Sequence, residues 1–149
     1  MGHETTLYRE QIQVPIIFRY PGRLPTGLRS GEPVSLVNLP ATILQLLKLP
    51  AAFPGEPLPV AGGQMPAGKG SSEEPLLSEF FVLDGPLLKS LLTSRWHYIA
   101  NFKTGKEELF DFQKDPHELN NLSSAVEAGP IVEKFRKKLR DRFPGLSRP

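Results

Sequence analysis

Between Leu76 and Phe112 short apolar runs alternate with turn signals, and this pattern constrains the fold more than any other part of the chain. Residues 76–83, 87–93, 96–102 and 108–112 each read as a strand, rich in Leu, Phe, Tyr and Ile. Asp84-Gly85-Pro86 and Thr104-Gly105-Lys106 supply turn chemistry between them. Strands this short, joined by turns this tight, favour an antiparallel sheet. Downstream, Ile131, Val132, Phe135, Leu139 and Phe143 fall on one stripe of a helix over residues 131–143, which predicts a helix docked on one face of that sheet.

The upstream third reads differently. Val14-Pro15-Ile16-Ile17-Phe18-Arg19-Tyr20 is a β-branched and aromatic run, with Pro15 near its start where a missing donor is tolerated, and it predicts a buried strand. Pro21-Gly22 closes it as a turn, and residues 23–31 read as a surface loop. Residues 34–49 predict a helix entered at Asn38 or Leu39, with Pro40 in the first turn, where its absent N–H costs nothing. Ile43, Leu44, Leu47 and Leu46 would be its apolar face, and Pro50 discourages continuation. Residues 51–75 are Pro, Gly, Ala and Ser without period, and predict an exposed connector. Gly68-Lys69-Gly70-Ser71 within it superficially resembles a phosphate-cradling loop, but it lacks the flanking strand, the following helix and the glycine spacing that such a loop needs.

Composition sets outer limits. At 149 residues and 39% hydrophobic, the chain can bury one core of ordinary domain size. Lys and Arg number 18 against 16 Asp and Glu, so the whole chain is no polyanion binder by charge balance. The bases concentrate at the end: Lys134, Arg136, Lys137, Lys138, Arg140, Arg142 and Arg148 face only Glu133 and Asp141. With no cysteine, disulfides, thiolate metal sites and a cysteine nucleophile are excluded from this chain. No apolar run is long enough for a membrane span, and residues 1–20 lack the basic-then-apolar pattern of a signal peptide.

Three motifs in order carry a resemblance. Leu7, Tyr8, Glu10, Ile12, Val14, Pro15, Ile16, Ile17, Pro21 and Gly22 match a Leu-Tyr-Glu-Glu-x-Ile-Arg-Val-Pro-Leu-Ile-Ile-x-x-Pro-Gly run, with Arg9 and Gln13 departing from it. Val37, Leu39, Thr42, Ile43, Leu44 and Leu46 resemble a Val-Asp-Leu-x-Pro-Thr-Leu-Leu-x-Leu helix opening, with Asn38 in place of its Asp and Pro40-Ala41 inverted. His97-Tyr98-Ile99, Glu108-Leu109-Phe110-Asp111-Phe112 and Asp115-Pro116-His117-Glu118-Leu119-Asn120-Asn121-Leu122 resemble Lys-Tyr-Ile, Glu-Leu-Tyr-Asp-Leu and Asp-Pro-x-Glu-x-x-Asn-Leu. The chain thus resembles the C-terminal portion of a sulfatase of the alkaline phosphatase superfamily, arylsulfatase-like.

That resemblance implies an α/β (α+β) fold. Residues 1–50 would be the end of the catalytic domain, contributing the last strand and helix of a truncated mixed sheet. Residues 51–75 would be the connector, and residues 76–149 a small four-stranded antiparallel subdomain packed with a terminal helix. It also implies a parent that hydrolyses a sulfate monoester, with a phosphodiesterase or phosphonate monoester hydrolase of the same superfamily as the alternative, and a non-catalytic polyanion-binding remnant as a further one. The family's formylglycine nucleophile and its calcium ligands lie upstream, so this chain alone is expected to be inactive. Its partners would be the missing N-terminal catalytic portion and, in the parent, a sulfated small molecule or glycan, with no nucleic acid and no membrane span. By family habit the parent is secreted, periplasmic or lysosomal.

One site residue is implied within the chain. His3 lies five residues before Tyr8, where some members carry a histidine that contacts the sulfate or leaving oxygen, and an imidazole suits that task; Met1-Gly2-His3 is also what a frayed terminus looks like. The other candidates read as structural. His97, between Trp96 and Tyr98, is expected on the sheet surface with its side chain opposite theirs. His117 is expected in an exposed turn. Asp115 is expected to accept N–H groups of the turn begun by Pro116, with Glu118 near the positive end of a helical turn. Glu133 and Lys137 sit at i,i+4 spacing on a solvated basic face.

Overall fold

The computed structural model describes residues 6–50, 52–62 and 74–146. Its elements are α1 (Arg9–Ile12), α2 (Asn38–Leu47), β1 (Leu76–Phe81), β2 (Leu87–Leu92), β3 (Trp96–Asn101), β4 (Glu107–Asp111) and α3 (Gly129–Arg142), with 3₁₀ turns at Pro59–Gly62 and Val126–Ala128. They divide into two units, one from residues 1–14 and 75–149, the other from residues 15–74.

In the first unit the four strands pair in sequence order as an antiparallel meander. The expected sheet is present, with nearly the expected ends. β1 stops at Phe81, two residues early, because the Val82 N–H turns to the Pro86 carbonyl and the Gly85 N–H to the Val82 carbonyl. Register places Leu91, Tyr98 and Leu109 side by side, and alternation puts Ala100 on the same face. There they pack with Val132, Phe135 and Leu139 of α3 in one buried cluster, and the Tyr98 and Phe135 rings stack at 5.6 Å. The stripe foreseen on this helix is thus the docking face, with Ile131 and Phe143 at its margins. Pro130 sits in the first turn of α3, where it removes no helical hydrogen bond.

The opposite face of the sheet is equally apolar. Leu88, Ile99 and Phe110 are buried there by Leu7, with Tyr8, Ile12 and Phe80 packed around them. A segment before Val14 therefore covers the side that α3 leaves open. Complete burial of a leucine of this kind contributes roughly 2 kcal/mol. The outer edge of β4 is closed as well. Asn121 Oδ1 accepts the Leu109 N–H at 3.0 Å, and the Leu122 N–H donates to the Leu109 carbonyl at 2.8 Å, which leaves that edge no free ladder to template another chain.

The second unit departs from expectation in two places. Residues 14–20 pair in no ladder: Ile16, Phe18 and Tyr20 are half-buried while Ile17 and Arg19 are exposed, Ile17 at 89%. The exposure alternates as in a strand, but a ladder needs a neighbouring strand, and none is bonded to this segment. In α2 the buried residues are Ala41 and Thr42, whereas Ile43 and Leu47, expected on its apolar face, are exposed. Thr42 Oγ1 donates to the Asn38 carbonyl at 2.6 Å and accepts the Leu58 N–H at 2.9 Å, fixing the returning chain against the helix. The return passes so close that a Cβ on Gly55, at φ +99°, would lie 2.5 Å from the Val37 carbonyl oxygen. α2 ends at Lys48, which adopts a left-handed φ of 57° so that the Leu49 N–H can reach the Leu44 carbonyl.

These two environments respond differently to truncation. Leu139→Ala, in a site with no solvent exposure, should cost about 2–5 kcal/mol, and Ile17→Ala within about 0.5 kcal/mol, in urea unfolding of the 149-residue chain. Equal losses would contradict the assignment of the core to the sheet–helix unit.

Candidate functional site

His3 lies outside the described residues, and so does the whole Gly68–Ser71 string. From Leu7 onward the chain is anchored on the sheet. Leu7 enters the apolar cluster on the second sheet face, and the Tyr8 ring meets Phe110 edge-on at 6.0 Å. Tyr8 Oη donates to Glu108 Oε1 at 3.0 Å, and the Arg9 N–H donates to Glu118 Oε2 at 2.8 Å. The Arg9 guanidinium also lies 5.3 Å from the Phe112 ring centre. Three consecutive residues thus engage β2, β3, β4 and the loop beyond.

Glu118 is the centre of this arrangement, and its position departs from expectation. It does not stand at the start of a helical turn. Asp115 takes the N–H groups of Leu119 and Asn120, at 3.1 and 2.8 Å, as expected for a turn acceptor, and these bonds hold its carboxyl below the usual range. The Glu118 N–H donates to the Asp115 carbonyl, and Glu118 itself adopts a left-handed φ of 54°. A non-glycine residue there carries roughly 1–2 kcal/mol of strain, offset by what its side chain reaches. Its carboxylate turns inward and is buried, with Oε1 2.6 Å from His97 Nδ1.

His97 is therefore not a surface histidine. Its side chain does lie opposite Trp96 and Tyr98, as alternation requires, but that face is covered and the residue has no solvent exposure. A signal was present in the sequence: Leu88, Ile99 and Phe110 share the face of His97, so both faces of the sheet are apolar and both need cover. His117 is exposed, as expected.

On the α3 face a second polar group forms. Arg136 donates to both oxygens of Glu107, at 3.0 and 2.6 Å, and Tyr98 Oη also donates to Glu107. Burial pushes the Glu107 carboxyl up, but the bonds from Arg136 and Tyr98 outweigh it and the net shift is downward. Within α3, Glu133 holds Arg136 and Arg140, and Lys137 pairs with Asp141 rather than with Glu133. Among the described residues no group of three or more His, Cys, Asp or Glu could hold a metal ion. No described helix is long and apolar enough to cross a membrane.

Residues 3–143 of the chain match one family, N-sulphoglucosamine sulphohydrolase, C-terminal. The chain belongs to that family. As a member of the N-sulphoglucosamine sulphohydrolase C-terminal family it is the C-terminal portion of a sulfatase, and solved structures agree at the level of fold. A Bacteroides thetaiotaomicron VPI-5482 protein assigned to the sulfatases superposes with a TM-score of 0.60 at 24% identity, over 72% of this chain and 24% of that one. BT1596, a 2-O GAG sulfatase, gives 0.59 at 24% identity with the same coverage of both chains. BT4656, solved in complex with its substrate D-glucosamine-2-N,6-O-disulfate, gives 0.53 at 18% identity, again over 72% and 24%. The chain thus spans about a quarter of the length of these sulfatases. No curated protein matches it. The family is metal-dependent in its complete members, but the described residues of this portion do not gather into a metal site.

Tyr8 offers a direct check on the anchored segment. Burial first, and the Glu108 carboxylate second, push its phenol from 10.0 up to about 12. Because the folded value is raised, the stabilisation is complete below pH 10 and is lost as pH rises through about 12. Phenolate absorbance that vanishes in Tyr8→Phe should therefore develop near pH 12 in the native chain; its development near pH 10 would show that Tyr8 is not held against Glu108.

Proposed function

We propose that the chain is the closing quarter of an enzyme that releases sulfate from a sulfated small molecule or glycan, with His3 as its contribution to the reacting centre. The observation that carries this reading is the fixation of Leu7, Tyr8 and Arg9 on the sheet within a family match that includes His3. A reacting group needs a defined position, and the fixed stretch of chain begins shortly after His3, at Leu7. From there an imidazole can stabilise charge developing on a sulfuryl oxygen or protonate the departing oxygen or nitrogen.

The nucleophile and metal belong to the portion upstream in this reading. A formylglycine, with calcium to take up charge on the sulfuryl oxygens, is supplied by the catalytic domain of complete sulfatases, and the described residues here do not fit such a centre. Residues 1–50 then complete that domain, residues 51–75 connect it, and residues 76–149 form the small subdomain that borders the cleft. The exposure of Ile17, Val37, Ile43, Leu47 and Phe53 supports a large apolar partner for the second unit. So does a concavity of about 310 Å³ within that unit, lined by Phe18, Tyr20, Leu24, Ile43, Leu46 and Leu47 among others. The family name and the ligand of BT4656 point to a glucosamine carrying N- or O-sulfate as the substrate class.

The test uses the protein encoded in frame with its upstream sequence. It should release sulfate from N-sulfated or O-sulfated glucosamine, and His3→Ala should lower kcat/KM about 10²- to 10³-fold with unchanged thermal stability. The 149-residue chain alone should release none. Turnover of phosphate diesters with sulfate esters left intact would overturn the sulfatase reading, and full activity of His3→Ala would remove that residue from the site.

A further inference from the structure

We infer that the outer edge of β1 is a strand-pairing surface for a second copy of this chain, joined antiparallel about a two-fold axis. The direction of its free backbone groups follows from the ladder. In an antiparallel pair, residues alternate between those bonded to the neighbour and those turned away from it. The Val82 N–H donates to the Pro86 carbonyl at 3.3 Å, one position beyond the Phe81–Leu87 pair, while the Leu87 carbonyl accepts the Phe102 N–H at 2.9 Å from the other side of β2. Phe81 therefore turns its N–H and carbonyl away from β2, and so do Glu79 and Leu77. Among the described residues β1 has β2 as its only ladder neighbour, and no turn or loop backbone bond reaches these three.

This edge also lacks the devices that keep strands from pairing. β4 is closed by Asn121 and Leu122, whereas β1 carries no proline, no lysine and no bulge in its register. Its single charge, Glu79, is held by Lys89 across the ladder. Phe81, Val82 and Leu83 continue the edge as three exposed apolar residues. A strand that fits here must be apolar on both sides, because Leu77 packs with the α3 cluster and Phe80 with the cluster on the opposite face. β1 itself meets that requirement.

The register can be argued further. A two-fold axis perpendicular to the sheet keeps each face on its own side, so the pairing is centred on a residue rather than between two. Centring on Glu79 sets like charges opposite each other, and centring on Ser78 leaves Phe81 and Val82 uncovered. Centring on Phe80 avoids both. Phe80 then meets Phe80 of the second copy, Ser78 meets Val82, and Glu79 and Phe81 exchange backbone bonds through their outward groups. Because the β4 edge is closed, each sheet offers one free edge and assembly stops at two chains.

Hydrogen exchange and sedimentation of the 149-residue chain test this. Over about a hundredfold rise in concentration the chain should pass from monomer to dimer, and exchange at the Glu79 and Phe81 amides should slow at least about tenfold. The Phe80 and Val82 amides, which point into the hairpin, should change little. Phe81→Lys puts a charge on the edge without removing a ladder bond, and should stay monomeric with an unchanged urea midpoint in dilute solution. Val126→Lys, at an exposed apolar residue in the turn before α3, should still pair. Should Phe81→Lys fail to fold, the exchange pattern of the unaltered chain decides. A monomer at every concentration, or protection at Glu79 and Phe81 that does not vary with concentration, would overturn the inference. So would a dimer that Phe81→Lys leaves intact, or growth beyond two chains.

Discussion

A four-stranded sheet with two apolar faces cannot stand in water with one of them bare, and this constraint organises the first unit. α3 covers the face of Leu91, Tyr98 and Leu109 from the C-terminal side of the sequence. Leu7, Tyr8 and Ile12 cover the face of Leu88, Ile99 and Phe110 from the N-terminal side. The two covers differ in kind. The helix brings many buried side chains and adds the Arg136–Glu107 pair, whereas the short segment brings few and relies on directional bonds to Glu108 and Glu118. On the second face burial alone does not define a position, and polar contacts do so.

That division explains what could be read from the residues. The strands between Leu76 and Asp111 were legible because their period-two runs are separated by turn residues, and the α3 stripe because five apolar positions share one face. Residues 14–20 form no paired strand for a physical reason: the alternation Ile16, Ile17, Phe18, Arg19, Tyr20 records a preference for pairing, but pairing also requires a neighbour. Ile43 and Leu47 of α2 show the same effect in a helix. Their spacing identifies an apolar face, while burial depends on what lies against it.

The candidate site was legible only in part. The Asp-Pro-x-Glu pattern located the turn and Asp115 as its acceptor, but not the left-handed backbone that sends Glu118 inward. For His97, the alternation of its own strand fixes which face it occupies but not whether that face is covered. The missing information was non-local. It lay in Leu7 and Arg9, roughly ninety residues before His97, and no window on either side of His97 contains them. Family membership fits this arrangement, since a match spanning residues 3–143 joins both covers of the sheet in one unit of descent.

Closure of the sheet from both sides is tested most directly by removing residues 1–14 and measuring cooperative urea unfolding through Trp96, the single tryptophan, on β3. The shortened chain should lose about 2 kcal/mol or more and expose the Leu88, Ile99 and Phe110 face to a hydrophobic dye. An unchanged midpoint, with no dye bound, would mean that the sheet does not depend on its N-terminal cover.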